Sequence, residues 1–265
     1  MAIILNQMNN VEMAIKDSLR NKFKDYKPET SYMPFHTRLL GKDRMALFSF
    51  IQSLNTNFGT SIFEPVSIEI AKNKFKEVRS HYIVNRSISE EAQKTIQIIM
   101  DDLTTASTKP MKLNEIECIR KVCQKGKMKV VKPTVVDVYL LGHDKEIFLI
   151  DLKTTKPNKG GFREFKRTLL EWTACVLAES PDAIVNTLIA IPYNPYHPKP
   201  YSRWTMAGML DLENELLVAE EYWDFIGGTG TFAQLLYIFE KVGIEMRAEI
   251  DDYFNKFKIN NNHNI

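Results

Sequence analysis

Apolar side chains recur at helical spacing through most of the first 125 or so residues. Val11, Ile15 and Leu19 illustrate the period of three to four positions that buries one face of an α-helix. The same period predicts further helices over about 44–57, 61–75, 87–103 and 116–122. Ser87-Ile-Ser-Glu90 is a capping-box pattern that marks the start of one of them. This part of the chain is therefore predicted to be mainly helical.

The period changes to two after about residue 126, where apolar and β-branched residues predict strands. Two strands, over about 134–141 and 146–155, flank a Gly-His-Asp turn and form a predicted hairpin. An amphipathic helix over about 162–176 and a third strand over about 183–191 follow. This order of elements indicates an α/β (α+β) fold, in which a mixed central sheet is flanked by helices.

The chain shows no internal repeat and no linker, so we predict a single domain over 1–265. It comprises a helical N-terminal part of about 1–125, a core of about 126–192 and a C-terminal loop with helices over about 193–265. No apolar run reaches the roughly 18 residues of a membrane span. The three cysteines form no Cys-x-x-Cys pair and no signal peptide is recognisable, so a cytoplasmic protein with no membrane partner is predicted.

The net charge of +2 conceals an uneven distribution of charged residues. Residues 120–132 carry six cations and no acid, and residues 153–167 carry six cations against Glu164 alone. Residues 211–224, by contrast, are acidic. An almost neutral protein with a basic middle third is suited to holding a polyanion locally. For any single lysine, a solvated face is the simpler explanation.

The Asp151-Leu152-Lys153 triplet places an acid and a lysine within an apolar strand. Side chains alternate along a strand, so Asp151 and Lys153 project from the same face. Asp137 interrupts the preceding apolar strand, and pairing of the two strands would bring both carboxylates to one point. Two converging carboxylates suit Mg²⁺, and the Leu152 carbonyl is a further candidate ligand. Lys153 would then position or deprotonate a water that attacks a phosphodiester.

The triplet alone is a weak signal, because Asp25-Tyr-Lys27 and Glu164-Phe-Lys166 have the same form. Those two lie at a helix end and on a helix, where positions i and i+2 do not share a face. The middle copy alone lies in a strand with a strand-borne acid upstream. Its alternative explanation, an ion pair on an exposed sheet face, is less favourable, because a charge inside an apolar strand is costly unless it is paired or binds a metal.

Pro133-Thr-Val-Val-Asp137, a gap of thirteen residues and then Asp151-Leu-Lys153 resemble the motif of the PD-(D/E)XK nucleases. Three inserted residues separate Pro133 from Asp137, which departs from the motif, but the order of acid, acid and lysine is intact. Within that superfamily, the stretches 36–44, 61–65 and 221–228 resemble type II restriction endonucleases of the TdeIII family.

This resemblance implies an αβββαβ core with extra N- and C-terminal helices, Mg²⁺ as the cofactor and double-stranded DNA as the substrate. Asp137 and Asp151 would be catalytic metal ligands, and Lys153 would position or activate water. The resemblance also implies a homodimer that cuts a palindromic site and leaves 5′-phosphates. The family association suggests an interrupted G/C palindrome such as GGNCC, and a bacterial or archaeal source.

Glu64 and Glu69 are the acids of the predicted helix after Gly59. Related nucleases often bring one more acid from a helix into the catalytic site, so either residue is a candidate. The simpler explanation is preferred for both: with Ser61 as cap, Glu64 occupies the capping-box position, and either acid favours a helix N-terminus. Of the two, Glu69 is the better functional candidate.

Three groups of residues are candidates for contacting DNA. Cations that follow the catalytic strand would bind backbone phosphates, namely Lys156, Lys159, Arg163, Lys166 and Arg167. The proline- and tyrosine-rich loop after the third strand offers contacts to base edges or phosphates through Asn194, Tyr196, Lys199 and Arg203. A second basic patch contains Arg38, Lys42 and Arg44. For each residue, an ordinary solvated face or a structural loop is an equally good explanation.

Other functional classes receive less support from the sequence. The five histidines have no partner at zinc-binding spacing, and there is no Walker, GxGxxG or GxSxG pattern, so no nucleotide cofactor is predicted. Three alternatives stay open. They are a structure-selective repair or recombination nuclease of the same superfamily, a catalytically inactive DNA-binding protein on the same fold, and a structural protein whose triplet is coincidental.

Overall fold

The helices and strands are described from a computed structural model, which covers residues 3–28, 33–132, 134–153, 161–202 and 206–257. In these ranges the helices are α1 (Leu5–Asp25), α2 (Pro34–Leu40), α3 (Lys42–Phe58), α4 (Glu64–Ala71), α5 (Glu90–Thr104), α6 (Lys112–Arg120), α7 (Phe162–Glu179), α8 (Glu220–Gly227), α9 (Thr231–Glu245) and α10 (Arg247–Asn255). The strands are β1 (Glu77–Ile83), β2 (Ser87–Ser89), β3 (Met128–Val130), β4 (Val135–Leu141), β5 (Glu146–Leu152), β6 (Ile184–Ile191) and β7 (Leu216–Val218). None of the described helices is both long and apolar enough to cross a membrane.

A mixed five-stranded sheet in the order β1-β4-β5-β6-β7 forms the centre of the protein. The first three strands in this order are antiparallel, whereas β5, β6 and β7 run parallel to one another. Along the chain, α4, β1, β4, β5, α7 and β6 follow the order αβββαβ. The predicted mixed sheet with flanking helices is thus confirmed. A small second sheet pairs β2 with β3 inside the long connection from β1 to β4.

Helices cover both faces of the central sheet, which buries apolar side chains on each side. On one face α5, α6 and α7 pack through residues such as Ile96, Ile119 and Leu169. On the other face α1, α4, α8 and α9 pack through residues such as Val66 and Trp223. Strand β5 contributes alternate side chains to the two layers, as a strand buried on both faces must. The candidate acids therefore lie between two hydrophobic layers.

Strand β1 was not predicted, although it forms an edge of the central sheet. Its sequence, Glu-Val-Arg-Ser-His-Tyr-Ile, is largely polar, and its residues are exposed or half-buried. An edge strand pairs through its backbone on one side, so it needs little apolar patterning. The helix predicted to run to residue 75 ends at Ala71 instead, which leaves room for this strand. A strand of the sheet therefore comes from the region expected to be helical.

The predicted break at Gly59 is also wrong. Helix α3 continues through a π-helical turn, Gly59–Phe63, directly into α4, so Ser61 does not cap a new helix. Glycine disfavours a helix by only about 1 kcal/mol, and the buried side chains of Ile62 and Val66 outweigh that cost. A similar shift occurs at α5, whose cap is Ser89 rather than Ser87, with its side chain accepting a hydrogen bond from the Ala92 N–H.

Candidate active site

The central sheet opens locally where the sequence places its strand-borne acids. The paired register of β4 and β5 ends at Val138 opposite Ile150, one position before Asp137 and Asp151 would face each other. On the other side of β4, the register with β1 skips the pair of His81 and Asp137. Asp137 therefore lies in a gap between its neighbouring strands.

At this position the Asp137 side chain, rather than its backbone, makes the hydrogen bond to β5. Its Oδ2 accepts a hydrogen bond of 2.7 Å from the backbone N–H of Leu152. This bond fixes Asp137 against the triplet that carries Asp151 and Lys153. The negative charge of Asp137 and its hydrogen bonding both contribute to a raised pKa of Asp151, after the larger effect of burial. The two acids of the predicted motif are thus close neighbours.

Asp151 and Lys153 form an ion pair at the end of β5. The Lys153 Nζ lies 2.7 Å from Asp151 Oδ1 and 4.7 Å from the ring centroid of Phe165 on α7, in a cation–π contact. Asp151 is only 7% exposed. Burial raises the pKa of Asp151 to about 7, although the ammonium group of Lys153 acts in the opposite direction. One lysine does not offset the desolvation of this acid.

Glu64 brings a third carboxylate to the site from the first turn of α4. Its side chain is 2% exposed, and its Oε1 lies 2.9 Å from Nδ1 of His81, an ion-pair distance. Neither oxygen of Glu64 has a hydrogen-bond partner of normal geometry among the described residues. Burial raises the pKa of Glu64 to about 7, His81 opposes this rise, and the charge of Asp137 adds to it. Glu64 and Asp137 therefore interact electrostatically.

Glu69, the acid preferred from the sequence, is engaged elsewhere. Its carboxylate accepts a hydrogen bond of 2.7 Å from Asn10 Nδ2 and pairs with Lys72. The structure favours Glu64, which is not at a capping-box position because α4 is continuous with the preceding turn. Sequence reasoning did not favour Glu64, because its place on the buried face of α4, which it shares with Ser67, is a result of tertiary packing.

The donor set at this opening suits a hard divalent cation. The carboxylates of Glu64, Asp137 and Asp151 outnumber the cationic partners, Lys153 and His81. The pKa values of Glu64 and Asp151 are both raised even though each acid has a cationic neighbour, which indicates a local deficit of positive charge. Among the described residues, no three Asp, Glu, His or Cys side chains could enclose a cation by themselves. One or two protein carboxylates completed by water and phosphate oxygens are the usual ligands of Mg²⁺.

Lys166 is excluded from the predicted phosphate-binding surface. Its side chain is fully buried, and its Nζ pairs with Glu115 and with Glu215 at 2.7 Å. The prediction failed because the apolar stripe of α7 is wider than the sequence suggests, and because two acids distant in sequence offset the buried charge. Lys166 therefore has a structural role.

The other cations of α7 lie nearer to solvent. Arg163 is exposed, with Nη2 3.9 Å from Asp101, and Arg167 donates a hydrogen bond of 2.9 Å to Gln97. Both residues thus contact α5 and remain candidates for binding phosphate. Lys156, Lys159 and Arg203 lie outside the described residues.

The loop after β6 uses one of its candidate residues for its own structure. Asn194 donates a hydrogen bond to the Lys199 carbonyl and accepts one from the Tyr196 N–H. Tyr196 and Lys199 are exposed. The patch of Arg38, Lys42 and Arg44 on α2 and α3 is exposed as well, and the Arg44 guanidinium also donates to the Leu40 carbonyl.

Comparison with known proteins identifies the family. The model of the family described as type II restriction endonuclease, HinfI matches residues 5–243. The chain belongs to the HinfI family of type II restriction endonucleases. Similar proteins include the type II restriction enzymes HgiCII and HgiEI of Herpetosiphon aurantiacus, 25% and 26% identical over 82% of this chain and 80% and 79% of theirs. The type II restriction enzyme MjaII of Methanocaldococcus jannaschii is 28% identical over 80% of this chain and 59% of its own length.

Membership of the HinfI family establishes the kind of enzyme. The protein is a type II site-specific deoxyribonuclease, the nuclease component of restriction–modification, and such enzymes bind double-stranded DNA. Enzymes of this class generally use divalent metal ions. The prediction of a type II restriction endonuclease is confirmed, with HinfI as the matching family where the resemblance pointed to TdeIII. The alternatives of a structure-selective nuclease and of a structural protein lose their support.

Proposed function

We propose that this HinfI-family enzyme hydrolyses DNA by the PD-(D/E)XK mechanism with Mg²⁺, leaving 5′-phosphate ends. The observation that supports this most is the hydrogen bond from the Leu152 N–H to Asp137, which joins the upstream acid to the Asp151–Lys153 pair. An acid, an acid and a lysine are thereby assembled from two neighbouring strands in the order of the motif.

Asp137 and Asp151 would hold the cation, together with the Leu152 carbonyl and with Glu64 as a further acid. When bound, Mg²⁺ neutralises charge on the phosphate and favours ionisation of a nearby water. Lys153 orients the attacking water and donates to the charge that develops on phosphorus-bound oxygen. The water oxygen bonds to phosphorus and gives up a proton to solvent, the bond from phosphorus to the 3′ oxygen breaks, and the leaving oxygen takes up a proton from solvent. The products are a 5′-phosphate and a 3′-hydroxyl.

Several finer properties extend this proposal. The target is an interrupted G/C palindrome such as GGNCC, read by a homodimer whose twofold symmetry matches that of the site. Arg163, Arg167, Lys199, Arg38, Lys42 and Arg44, with Lys156, Lys159 and Arg203, are proposed DNA contacts. The three free cysteines support a reducing, cytoplasmic setting. Light scattering of the purified protein distinguishes a dimer from a monomer.

Plasmid cleavage with Mg²⁺ or with EDTA tests the mechanism. Wild-type protein should give discrete Mg²⁺-dependent fragments, and end sequencing would give the site, the stagger and the phosphate position. Asp137→Asn, Asp151→Asn and Lys153→Ala should each slow cleavage by about a thousandfold or more, which corresponds to about 4 kcal/mol of lost transition-state stabilisation. Lys94→Ala, which removes an exposed cation of α5, is the control. Retained cleavage in the Asp151 and Lys153 variants would place the catalytic centre elsewhere.

A further inference from the structure

His81 has an unusual backbone conformation for a residue in a strand. Its φ is +49°, in the left-handed region that is unfavourable for a residue with a side chain. The same residue stands where the register of β1 with β4 skips Asp137. An irregularity of this kind in a strand redirects a side chain away from the normal alternation.

Packing does not offset this strain, because the His81 side chain is 67% exposed. Its close contact is with Glu64, where Nδ1 lies 2.9 Å from Oε1 of a side chain that is only 2% exposed. A buried carboxylate without normal hydrogen bonds is costly, and a nearby imidazole reduces that cost. We therefore attribute the strained backbone conformation of His81 to its contact with Glu64.

The His81–Glu64 contact lines a cleft of about 330 Å³ between α1, α4 and β1. Lys72 and Ser80 also line this cleft. The cleft thus lies on the His81 side of the buried Glu64 carboxylate, which also interacts electrostatically with Asp137. Apart from His81, no described side chain makes an ion pair or hydrogen bond with the Glu64 carboxylate that would fix its direction.

We infer that His81 is a positioning residue of the cleavage site, which holds the Glu64 carboxylate so that Glu64 and Asp137 act on one divalent cation. The inference rests on the proposed function and adds to it a residue that binds neither cation nor DNA. Removing an outer partner that orients a metal-binding side chain commonly costs 10–100-fold in metal affinity.

Two substitutions at His81 separate the effect of its side-chain contact with Glu64 from the effect of its backbone conformation. Glycine and asparagine both tolerate a positive φ, but only the asparagine side chain can donate a hydrogen bond to Glu64. Mn²⁺ binding to the metal-free protein is measured by calorimetry, and thermal unfolding is measured in EDTA. His81→Gly should weaken Mn²⁺ binding about tenfold or more, and His81→Asn should stay within about threefold of wild type. The unfolding midpoint of His81→Gly should stay close to that of wild type, because relief of the backbone strain and loss of the imidazole beside Glu64 act in opposite directions.

Lys145→Gly is the matched control, since Lys145 also has a positive φ, of 66°, but lies in the turn between β4 and β5. It should leave Mn²⁺ binding unchanged. Unaltered Mn²⁺ affinity in His81→Gly, or an equal loss in His81→Asn, would overturn the positioning role. A lower unfolding midpoint with normal Mn²⁺ affinity would indicate a structural role and overturn it too. Failure of wild-type protein to bind Mn²⁺ would overturn the proposed cation site, and the inference with it.

Discussion

Two buried clusters of charged residues lie beside the same central sheet, and they differ in balance. The structural cluster joins α6, α7 and the segment before β7 through two lysines and two glutamates, namely Lys112, Lys166, Glu115 and Glu215. The other cluster, which we propose to be catalytic and call the catalytic cluster, gathers three acids, Glu64, Asp137 and Asp151, around Lys153 and His81. One cluster is neutral, and the other carries surplus negative charge when its acids are ionised.

The two clusters also differ in how completely their charged groups are paired. In the structural cluster, Lys166 lies 2.9 and 2.7 Å from the two oxygens of Glu215, and Lys112 donates to the Thr187 carbonyl at 2.6 Å. In the catalytic cluster, Glu64 lacks normal hydrogen bonds and two acids have raised pKa values. Buried charge that is fully partnered stabilises a specific packing, whereas buried acid in excess favours binding a cation.

The largest effect should come from unbalancing the structural cluster. Lys166→Met keeps much of the side-chain volume but leaves buried Glu115 and Glu215 with too little positive charge. We expect the free energy of unfolding, measured with urea, to fall by about 3–5 kcal/mol. Lys94→Met is the control, because its ion pair with Glu91 is exposed and its loss should leave the free energy of unfolding nearly unchanged. A comparably small loss for Lys166→Met would show that the balanced cluster is not needed for stability.

The catalytic cluster should instead gain stability from a cation. Mg²⁺ at a hundredfold excess over its Kd should stabilise wild-type protein by about 2.7 kcal/mol, since it binds only the folded form. Asp137→Asn combined with Asp151→Asn should remove this gain, as measured by the shift of the thermal midpoint on adding Mg²⁺. Glu240→Gln, which neutralises an exposed acid on α9, should keep it. An equal Mg²⁺ shift in the double variant would mean that the cation binds elsewhere.

Without a cation, the catalytic cluster should make stability depend on pH. Burial raises the pKa of Asp151 to about 7, so the folded protein binds a proton that the unfolded chain releases near pH 4. Stability in EDTA should therefore fall as pH rises from about 4 to 7. Asp151→Asn should exceed wild type by at least about 1 kcal/mol at pH 8, because one pKa unit corresponds to about 1.4 kcal/mol.

That advantage of Asp151→Asn should shrink towards pH 4, where the wild-type acid is protonated. Urea unfolding at both pH values measures it, with Glu240→Gln as the exposed control. A less stable Asp151→Asn at pH 8 would show that the ion pair with Lys153 outweighs the desolvation of the acid.

The local motif was predictable from sequence because it depends on strand alternation. Asp151 and Lys153 could be assigned to one face of β5, and Asp137 to the adjoining strand, from the apolar pattern alone. The mixed sheet followed from the order of elements. These features depend on residues that are close in sequence or joined by a hairpin, and the local pattern of apolar residues determines such features.

The remaining features depend on contacts between residues far apart in the chain. Lys166 resembles a surface lysine until α6 and the segment before β7 bring Glu115 and Glu215 to it. His81 has no metal-binding partner at short spacing, and its contact with Glu64 requires an edge strand that the polar sequence of β1 conceals. Neither arrangement has a local periodic signal, so one sequence could not reveal it.

The smallest effects should come from exposed charges that belong to neither cluster. Arg38→Ala and Lys42→Ala remove cations from the exposed α2–α3 patch. If each contacts one phosphate, the slope of log K against log salt should decrease in magnitude by about 1 per substitution. DNA affinity is measured in the Asp151→Asn background so that the DNA stays intact. Arg20→Ala is the control, because Arg20 is exposed on α1 and already paired with Glu249 at 2.8 Å. Unchanged slopes for Arg38→Ala and Lys42→Ala would remove this patch from the DNA interface and leave the catalytic comparison intact.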